Sequence, residues 1–187
     1  SPGFLLFAAL LYFFDNAGLI SAAVPAILVH EAGHAAALRL CGCRAEALYL
    51  TLPGFSLDYS GALSRAGESF AALAGPAVGL LYFAAAGWVG RALLSRFLSL
   101  SAALSLLLSL FNLLPILPLD GGRALRCLAG ESTAACISFC GCCALCVFGL
   151  WCCARGWGIS LLIAGLWLLC DTFRRKRYST WSFFRRN

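Results

Sequence analysis

The two histidines of the chain, His30 and His34, lie four residues apart in an otherwise apolar segment, and Glu31 directly follows the first. On a helix, residues four apart share one face and lie about 6 Å apart along the axis, so both imidazoles can reach one metal ion. In the His-Glu-x-x-His pattern the histidines bind zinc and the glutamate acts as general base. Because a catalytic zinc site keeps one position for water, the pattern predicts a hydrolytic metal centre with one Zn²⁺ ion.

A third ligand is needed, and Asp120 is the candidate among the eight acidic residues because most others fall at span ends or in a loop. It stands in "NLLPILPLDGGR", where Pro115 and Pro118 cannot continue a regular helix. A carboxylate on a broken helix end can turn towards a neighbouring span; the alternative is that Asp120 is a helix-end cap or an interface residue. Asn112 opens the same segment, and its amide could hold a substrate strand, stabilise a developing oxyanion or simply join two helices.

The elements that must position these residues are membrane helices. Hydrophobic residues make up 61% of the chain and charged residues 12%, with a mean hydropathy of +0.88, which is more apolar than a soluble domain. A membrane-spanning helix needs about 20 mostly apolar residues. Six segments are candidates for such spans, two of them short: 2–14, 17–38, 70–90, 97–119, 132–154 and 156–170.

The distribution of arginine and lysine predicts the orientation of the spans. With six spans, both termini lie in the cytoplasm. Eleven cations then fall on the cytoplasmic side (Arg39, Arg44, Arg65, Arg123, Arg126 and six in the basic tail, residues 171–187) and three on the other side (Arg91, Arg96 and Arg155). The tail could also contact anionic lipid, and no basic module outside it points to a nucleic-acid partner.

Residues 47–60, between the second and third spans, alternate apolar and polar side chains on both sides of Pro53-Gly54. This pattern predicts a β-hairpin, either a local loop feature or a sheet edge that an extended peptide could join. The predicted fold is therefore an all-α polytopic membrane protein, with about six transmembrane helices and a small β-hairpin, organised as a single domain over residues 1–187.

Small and sulfur-containing residues add three patterns to the spans. Ser101, Ser105 and Ser109 share one helix face, which is consistent with a wall of a water path or with hydrogen bonding between helices. Gly75-x-x-x-Gly79 permits close helix contact, within or between chains, so an oligomer is compatible with the sequence. Seven cysteines within residues 136–153 favour packing of apolar thiols, with a redox or metal role as the alternative.

"HEAGH" on one span and "NLLPILPLDGG" on a later one resemble the paired motifs of the site-2 protease family, intramembrane zinc metalloproteases. "AGPAVG" in the third span is similar to a Gly-Pro found between those motifs. The resemblance covers about residues 20–125. It implies His30, His34 and Asp120 as zinc ligands, Glu31 as catalytic acid/base, and Asn112 as a residue that contacts substrate or transition state.

The six-span layout with a cytoplasmic site looks most like the bacterial sporulation-type branch, and no PDZ or CBS domain is expected in this chain. The resemblance implies a multi-pass protein of the bacterial inner membrane that cleaves transmembrane protein substrates. Two other functions are compatible with the same residues: a membrane protein that binds or transports zinc, and a catalytically silent scaffold.

Overall fold

The computed structural model describes residues 18–51, 54–60 and 63–184 of the 187-residue chain. In order, the described elements are α1 (Leu19–Leu40), β1 (Arg44–Thr51), β2 (Gly54–Ser60), α2 (Arg65–Ala92), α3 (Arg96–Asn112), α4 (Asp120–Ala129), α5 (Glu131–Ala154) and α6 (Ser160–Phe184). Two compact units divide these elements, the first ending at Leu113 and the second beginning at Leu114.

In the first unit, α1, α2 and α3 pack against one another. Serine caps begin two of these helices: the Ser64 hydroxyl accepts a hydrogen bond from the backbone N–H of Gly67 at 3.1 Å, and the Ser95 hydroxyl accepts one from Leu98 at 3.4 Å. Such caps satisfy backbone donors that a helix start leaves without an internal acceptor. The cap at Ser64 and the acidic Glu68 in the first turn together set where α2 begins.

The hairpin strands β1 and β2 pair antiparallel in a two-stranded sheet. Thr51 lies opposite Gly54 at the turn, and Arg44 lies opposite Ser60 at the open end. The register shifts between Ala45 and Ala47, which is the irregularity of a β-bulge. Within the described residues, each strand therefore has a sheet partner on one side only.

The second unit consists of α4, α5 and α6, with α5 packing against both of the others. Small residues allow the closest approach: Gly149 of α5 lies against Leu162 of α6, and Gly165 of α6 lies against Cys146 of α5. None of the seven cysteines of α5 forms a disulfide. The α6 helix continues through Asp171 to Phe184, so the beginning of the basic tail is helical.

Three helices in the described part of the chain are long and apolar enough to cross a membrane, namely α1, α2 and α5. The α3 helix is apolar but has only 17 residues. A six-span layout is therefore not established by the described helices, and the candidate span at residues 2–14 lies outside them.

The predicted fourth span, residues 97–119, is not one continuous helix, as its two prolines indicated. The α3 helix ends at Asn112, an irregular segment follows, and a separate helix starts at Asp120. Proline lacks a backbone N–H and disfavours helical geometry in the preceding residue, so Pro115 and Pro118 prevent a continuous helix. The peptide between Leu117 and Pro118 is cis.

Candidate metal centre

The two histidines project from the same face of α1, as their spacing predicts. Their Nε2 atoms lie 3.2 Å apart, and the two rings meet edge to face with their centroids 4.9 Å apart. His30 is almost completely buried and His34 is half-buried. Two nitrogens bound to one tetrahedral zinc ion at about 2.0 Å would lie about 3.3 Å apart, so the pair fits a shared ion.

The His34 ring is held by a carbonyl group of the neighbouring helix. Its Nδ1 atom lies 2.8 Å from the backbone oxygen of Ala71 in α2. Because a carbonyl oxygen can only accept, Nδ1 carries the proton of this hydrogen bond. In a neutral ring the Nε2 lone pair is then available to a metal, which is the usual way in which an outer hydrogen bond orients a histidine ligand.

Two glycines let α1 and α2 approach closely enough for this contact. A Cβ on Gly33 would come within 2.7 Å of the Ala74 carbonyl oxygen and 3.0 Å of the Gly75 Cα. A Cβ on Gly75 would overlap the His34 imidazole itself. Glycine at both positions is therefore required for the helices to cross where they do, and the crossing point lies directly beside the ligand candidates.

The other two predicted residues of the first unit lie on α1 and at the end of α3. Glu31 is half-buried and adjoins His30 in sequence. Asn112 is also half-buried, and its Nδ2 donates a hydrogen bond to the backbone oxygen of Leu108 at 2.9 Å. That bond secures the last turn of α3. It uses one of the two N–H groups of the amide, so the side chain has the capacity for further hydrogen bonds.

The buried face of α3 packs on α2 through its serines. The Ser105 hydroxyl donates to the Gly79 carbonyl at 2.9 Å, and Ser101 shares a 3.0 Å hydrogen bond with the Tyr82 hydroxyl. Ser109 is fully buried and lies against Gly79. Ser101 and Ser105 therefore serve helix packing, one of the two roles that their spacing allowed.

Asp120 is the first residue of α4, in the second unit, and its side chain is almost completely buried. The N-cap residue, Leu119, has no side-chain group that could cap this helix start. An Nη atom of Arg123, one turn further along, lies 3.8 Å from an Asp120 carboxylate oxygen. The deprotonated carboxylate is the form that binds a metal.

Sequence reasoning did not identify the partners of these side chains. The Ala71 carbonyl that orients His34 is a backbone atom of an ordinary alanine, which no residue pattern marks. Likewise, Ser138 of α5 accepts a hydrogen bond from the backbone N–H of Leu117, close to Asp120 in sequence, and nothing in its local sequence singles it out.

Comparison with known proteins finds similarity to a peptidase family and to proteins named as zinc metalloproteases. Residues 67–138 match peptidase family M50. The chain is 32% identical over 124 residues to sll0528 of Synechocystis sp. and 34% identical over 129 residues to Rip3 of Mycobacterium tuberculosis, whose names both describe zinc metalloproteases. These alignments cover 62% and 64% of this chain but 33% of each relative. The chain thus spans about a third of the length of these relatives.

Among solved structures, the site-2 protease from Methanocaldococcus jannaschii is similar, with a TM-score of 0.65 and 24% sequence identity. The match covers 91% of this chain and 85% of that chain. At this level of identity the likeness establishes the fold. The stretch matched by peptidase family M50 includes Asn112 and Asp120, and the pair of histidines precedes it.

Proposed function

We propose that this chain, which matches peptidase family M50 over residues 67–138 and is similar in fold to a site-2 protease, is an intramembrane zinc metalloprotease that hydrolyses peptide bonds of membrane-spanning proteins. The observation that carries the proposal is the approach of the His30 and His34 Nε2 atoms to 3.2 Å on an apolar helix. Ionisable side chains inside a membrane are costly and usually functional. Two histidines at metal-binding spacing on such a helix therefore favour a functional site over a chance occurrence.

His30, His34 and Asp120 are the proposed ligands of one Zn²⁺ ion. Two imidazole nitrogens and one carboxylate oxygen are a donor set that can hold such an ion. Three protein ligands leave the fourth position to water or substrate, as catalytic zinc sites require. When bound, the ion polarises the scissile carbonyl group and makes water acidic enough to supply hydroxide near neutral pH.

Glu31 is the proposed acid/base. Its carboxylate takes a proton from the attacking water and later delivers that proton to the nitrogen of the leaving amine. Asn112 is the proposed contact to the substrate, since its amide has hydrogen-bonding capacity beyond the bond to the Leu108 carbonyl. An amide N–H aimed at the scissile carbonyl would stabilise the negative charge that develops on its oxygen.

A membrane-spanning substrate must present an extended segment, because the backbone carbonyls of a helix are already hydrogen-bonded. The hairpin of β1 and β2 offers a sheet edge to which such a segment could add as a further strand. Backbone hydrogen bonds to this edge would offset those lost when the substrate helix unwinds. This role for the hairpin predicts little dependence on substrate sequence at the paired positions.

The proposed setting is the bacterial inner membrane, with about six spans and with the site and the C-terminus towards the cytoplasm. The support for this orientation is the excess of arginine and lysine on one side of the candidate spans, eleven against three. The layout corresponds to that of the sporulation-type branch. Basic residues of the tail, residues 171–187, would also attract anionic lipid headgroups on the cytoplasmic leaflet.

The test is co-expression with a single-span substrate protein, followed by measurement of cleavage and of zinc in the purified protein. Glu31→Gln should bind zinc like the wild type but cut at least about 100-fold more slowly, because it cannot accept the proton. Glu131→Gln, a matched change of an exposed carboxylate at the start of α5, should cut normally. Cleavage by Glu31→Gln at the wild-type rate, with zinc bound, would contradict the assignment.

The same assay separates the two rival functions. A zinc transporter would move zinc into vesicles and cleave no substrate, and a silent scaffold would neither transport zinc nor cleave. Either result would refute the protease proposal, whereas cleavage lost only in Glu31→Gln would support it.

A further inference from the structure

The segment between α3 and α4, residues 113–119, must hold its shape without helical hydrogen bonds. Within it, the Ile116 N–H donates to the Leu114 carbonyl at 2.7 Å and the Leu119 N–H donates to the Ile116 carbonyl at 2.8 Å. The Leu117 N–H donates instead to the hydroxyl of Ser138 on α5, at 3.0 Å. Backbone donors in an apolar environment require partners, and Ser138 supplies one from another helix.

A second contact fixes the same residues to the same face of α5. The side chain of Ile116 is only 2% exposed and lies against Gly141, one turn after Ser138. A Cβ on Gly141 would come within 2.8 Å of Ile116 Cγ1 and 3.0 Å of Cδ1. Ser138 is fully buried, and its hydroxyl binds the backbone N–H of Leu117. Gly141 leaves space for the side chain of Ile116, the residue before Leu117.

A third contact joins the Ile116–Leu117 peptide to the first turn of α4. A Cβ on Gly122, in the first turn of α4, would overlap the Ile116 carbonyl carbon. The same Cβ would come within 2.5 Å of the Leu117 nitrogen, the atom that donates to Ser138. The first turn of α4 therefore rests on the peptide that α5 holds. Asp120 lies in that turn, two residues before Gly122.

We propose that Ser138, together with Gly141, is a positioning residue that fixes the Ile116–Leu117 peptide and thereby the direction of the Asp120 carboxylate. The inference rests on the proposed function, in which Asp120 is a metal ligand. The N-cap residue Leu119 supplies no side-chain cap to α4, whose first turn packs at Gly122 on the Ile116–Leu117 backbone. Ser138 acts on the metal only through Asp120 and is not a catalytic residue.

The test measures Zn²⁺ affinity by competition with a chromophoric chelator, and the visible absorption spectrum of the Co²⁺-substituted protein, whose bands report ligand geometry. Ser138→Ala, which removes the acceptor, should weaken Zn²⁺ binding about tenfold and alter the Co²⁺ spectrum. Ser138→Cys, which keeps the size but accepts hydrogen bonds weakly, should change both readouts in the same direction. It serves as the second variant if Ser138→Ala does not fold.

Ser101→Ala is the matched control, because the Ser101 hydroxyl is equally buried but bonds to Tyr82. It should lower the melting temperature as Ser138→Ala does, yet leave the Zn²⁺ affinity and the Co²⁺ spectrum at their wild-type values. If both Ser138 variants match the Ser101→Ala result, Ser138 only supports helix packing and the inference is overturned.

Asp120→Ala separates failure of this inference from failure of the proposed function. We expect it to weaken Zn²⁺ binding at least about 100-fold, more than either Ser138 variant. Wild-type Zn²⁺ affinity in Asp120→Ala would refute Asp120 as a ligand, and with it both proposals. Weak binding in Asp120→Ala with normal binding in both Ser138 variants would refute the positioning role alone.

Discussion

The histidine pair and the Asp120 segment hold their side chains by different means. His30 and His34 stand on an uninterrupted helix, and the one outer hydrogen bond described, from His34 Nδ1 to the Ala71 carbonyl, is made by the ligand ring itself. Asp120 begins a short helix after an irregular segment, and the bond from the Leu117 N–H to Ser138 is made by backbone three residues earlier. One region fixes side chains directly, and the other fixes the main chain that carries the side chain.

The difference explains why glycine matters in both regions for different reasons. Gly75 gives room to an imidazole ring, whereas Gly122 gives room to a peptide bond. A ring can tilt to relieve an overlap, but it then leaves its hydrogen bond. A peptide tied at both ends moves only together with its neighbours. A substitution beside the histidines should therefore mainly weaken metal binding. A substitution beside the Ile116–Leu117 peptide should weaken metal binding and lower the stability together.

The largest expected effect is that of Gly75→Ala. Its Cβ would occupy the space of the His34 imidazole, so the ring must leave both the Ala71 carbonyl and the metal position. We expect Zn²⁺ affinity to fall about 100-fold or more, with loss of cleavage. Gly87→Ala on the same helix is the control, because its Cβ would meet Ala102 at an ordinary 3.6 Å. Equal Zn²⁺ affinity in the two variants would show that His34 does not depend on this space.

Gly122→Ala should follow, with stability and metal binding lost together. The new Cβ would press on the Ile116–Leu117 peptide, which cannot move without breaking its bond to Ser138. We expect about tenfold to 100-fold weaker Zn²⁺ binding and a lower free energy of unfolding. Isothermal Zn²⁺ titration and thermal unfolding in detergent would check this. Weak Zn²⁺ binding at unchanged stability would mean that this region does not work through its backbone.

Gly141→Ala should have a smaller effect, because its Cβ would meet the flexible end of the Ile116 side chain rather than backbone. Overpacking of this kind destabilises a protein by about 1–3 kcal/mol. Ile116→Ala removes both contacted atoms, so the double variant should lose less stability than the sum of the single variants. Simple additivity in a double-mutant cycle, measured by thermal unfolding, would contradict the contact.

The smallest expected effect is that of Tyr82→Phe, which removes one hydrogen bond between α2 and α3. A lost buried hydrogen bond costs about 1 kcal/mol of unfolding free energy. Zn²⁺ affinity should not change, because this bond belongs to helix packing. A clear loss of Zn²⁺ affinity in Tyr82→Phe would show that the serine face of α3 affects the metal centre as well as helix packing.

The sequence predicted the histidine pair better than the segment around Asp120. The His30–His34 geometry could be predicted from spacing alone, because a regular helix fixes the relation of residues four apart. The region around Asp120 could not: the two prolines predict a break, but the segment's path depends on Ser138 and Gly141, which are distant in sequence. Hydropathy extended the fourth span to residue 119 because it records apolar composition and not hydrogen bonds.

The burial of Gly75 and Gly79 has a consequence for self-association. One of these glycines faces the His34 ring and the other faces Ser109, so the chain's own α1 and α3 cover this surface of α2. A second copy could reach the two glycines only by displacing a helix that carries part of the proposed catalytic machinery. The Gly75-x-x-x-Gly79 pattern therefore serves helix contacts within the chain.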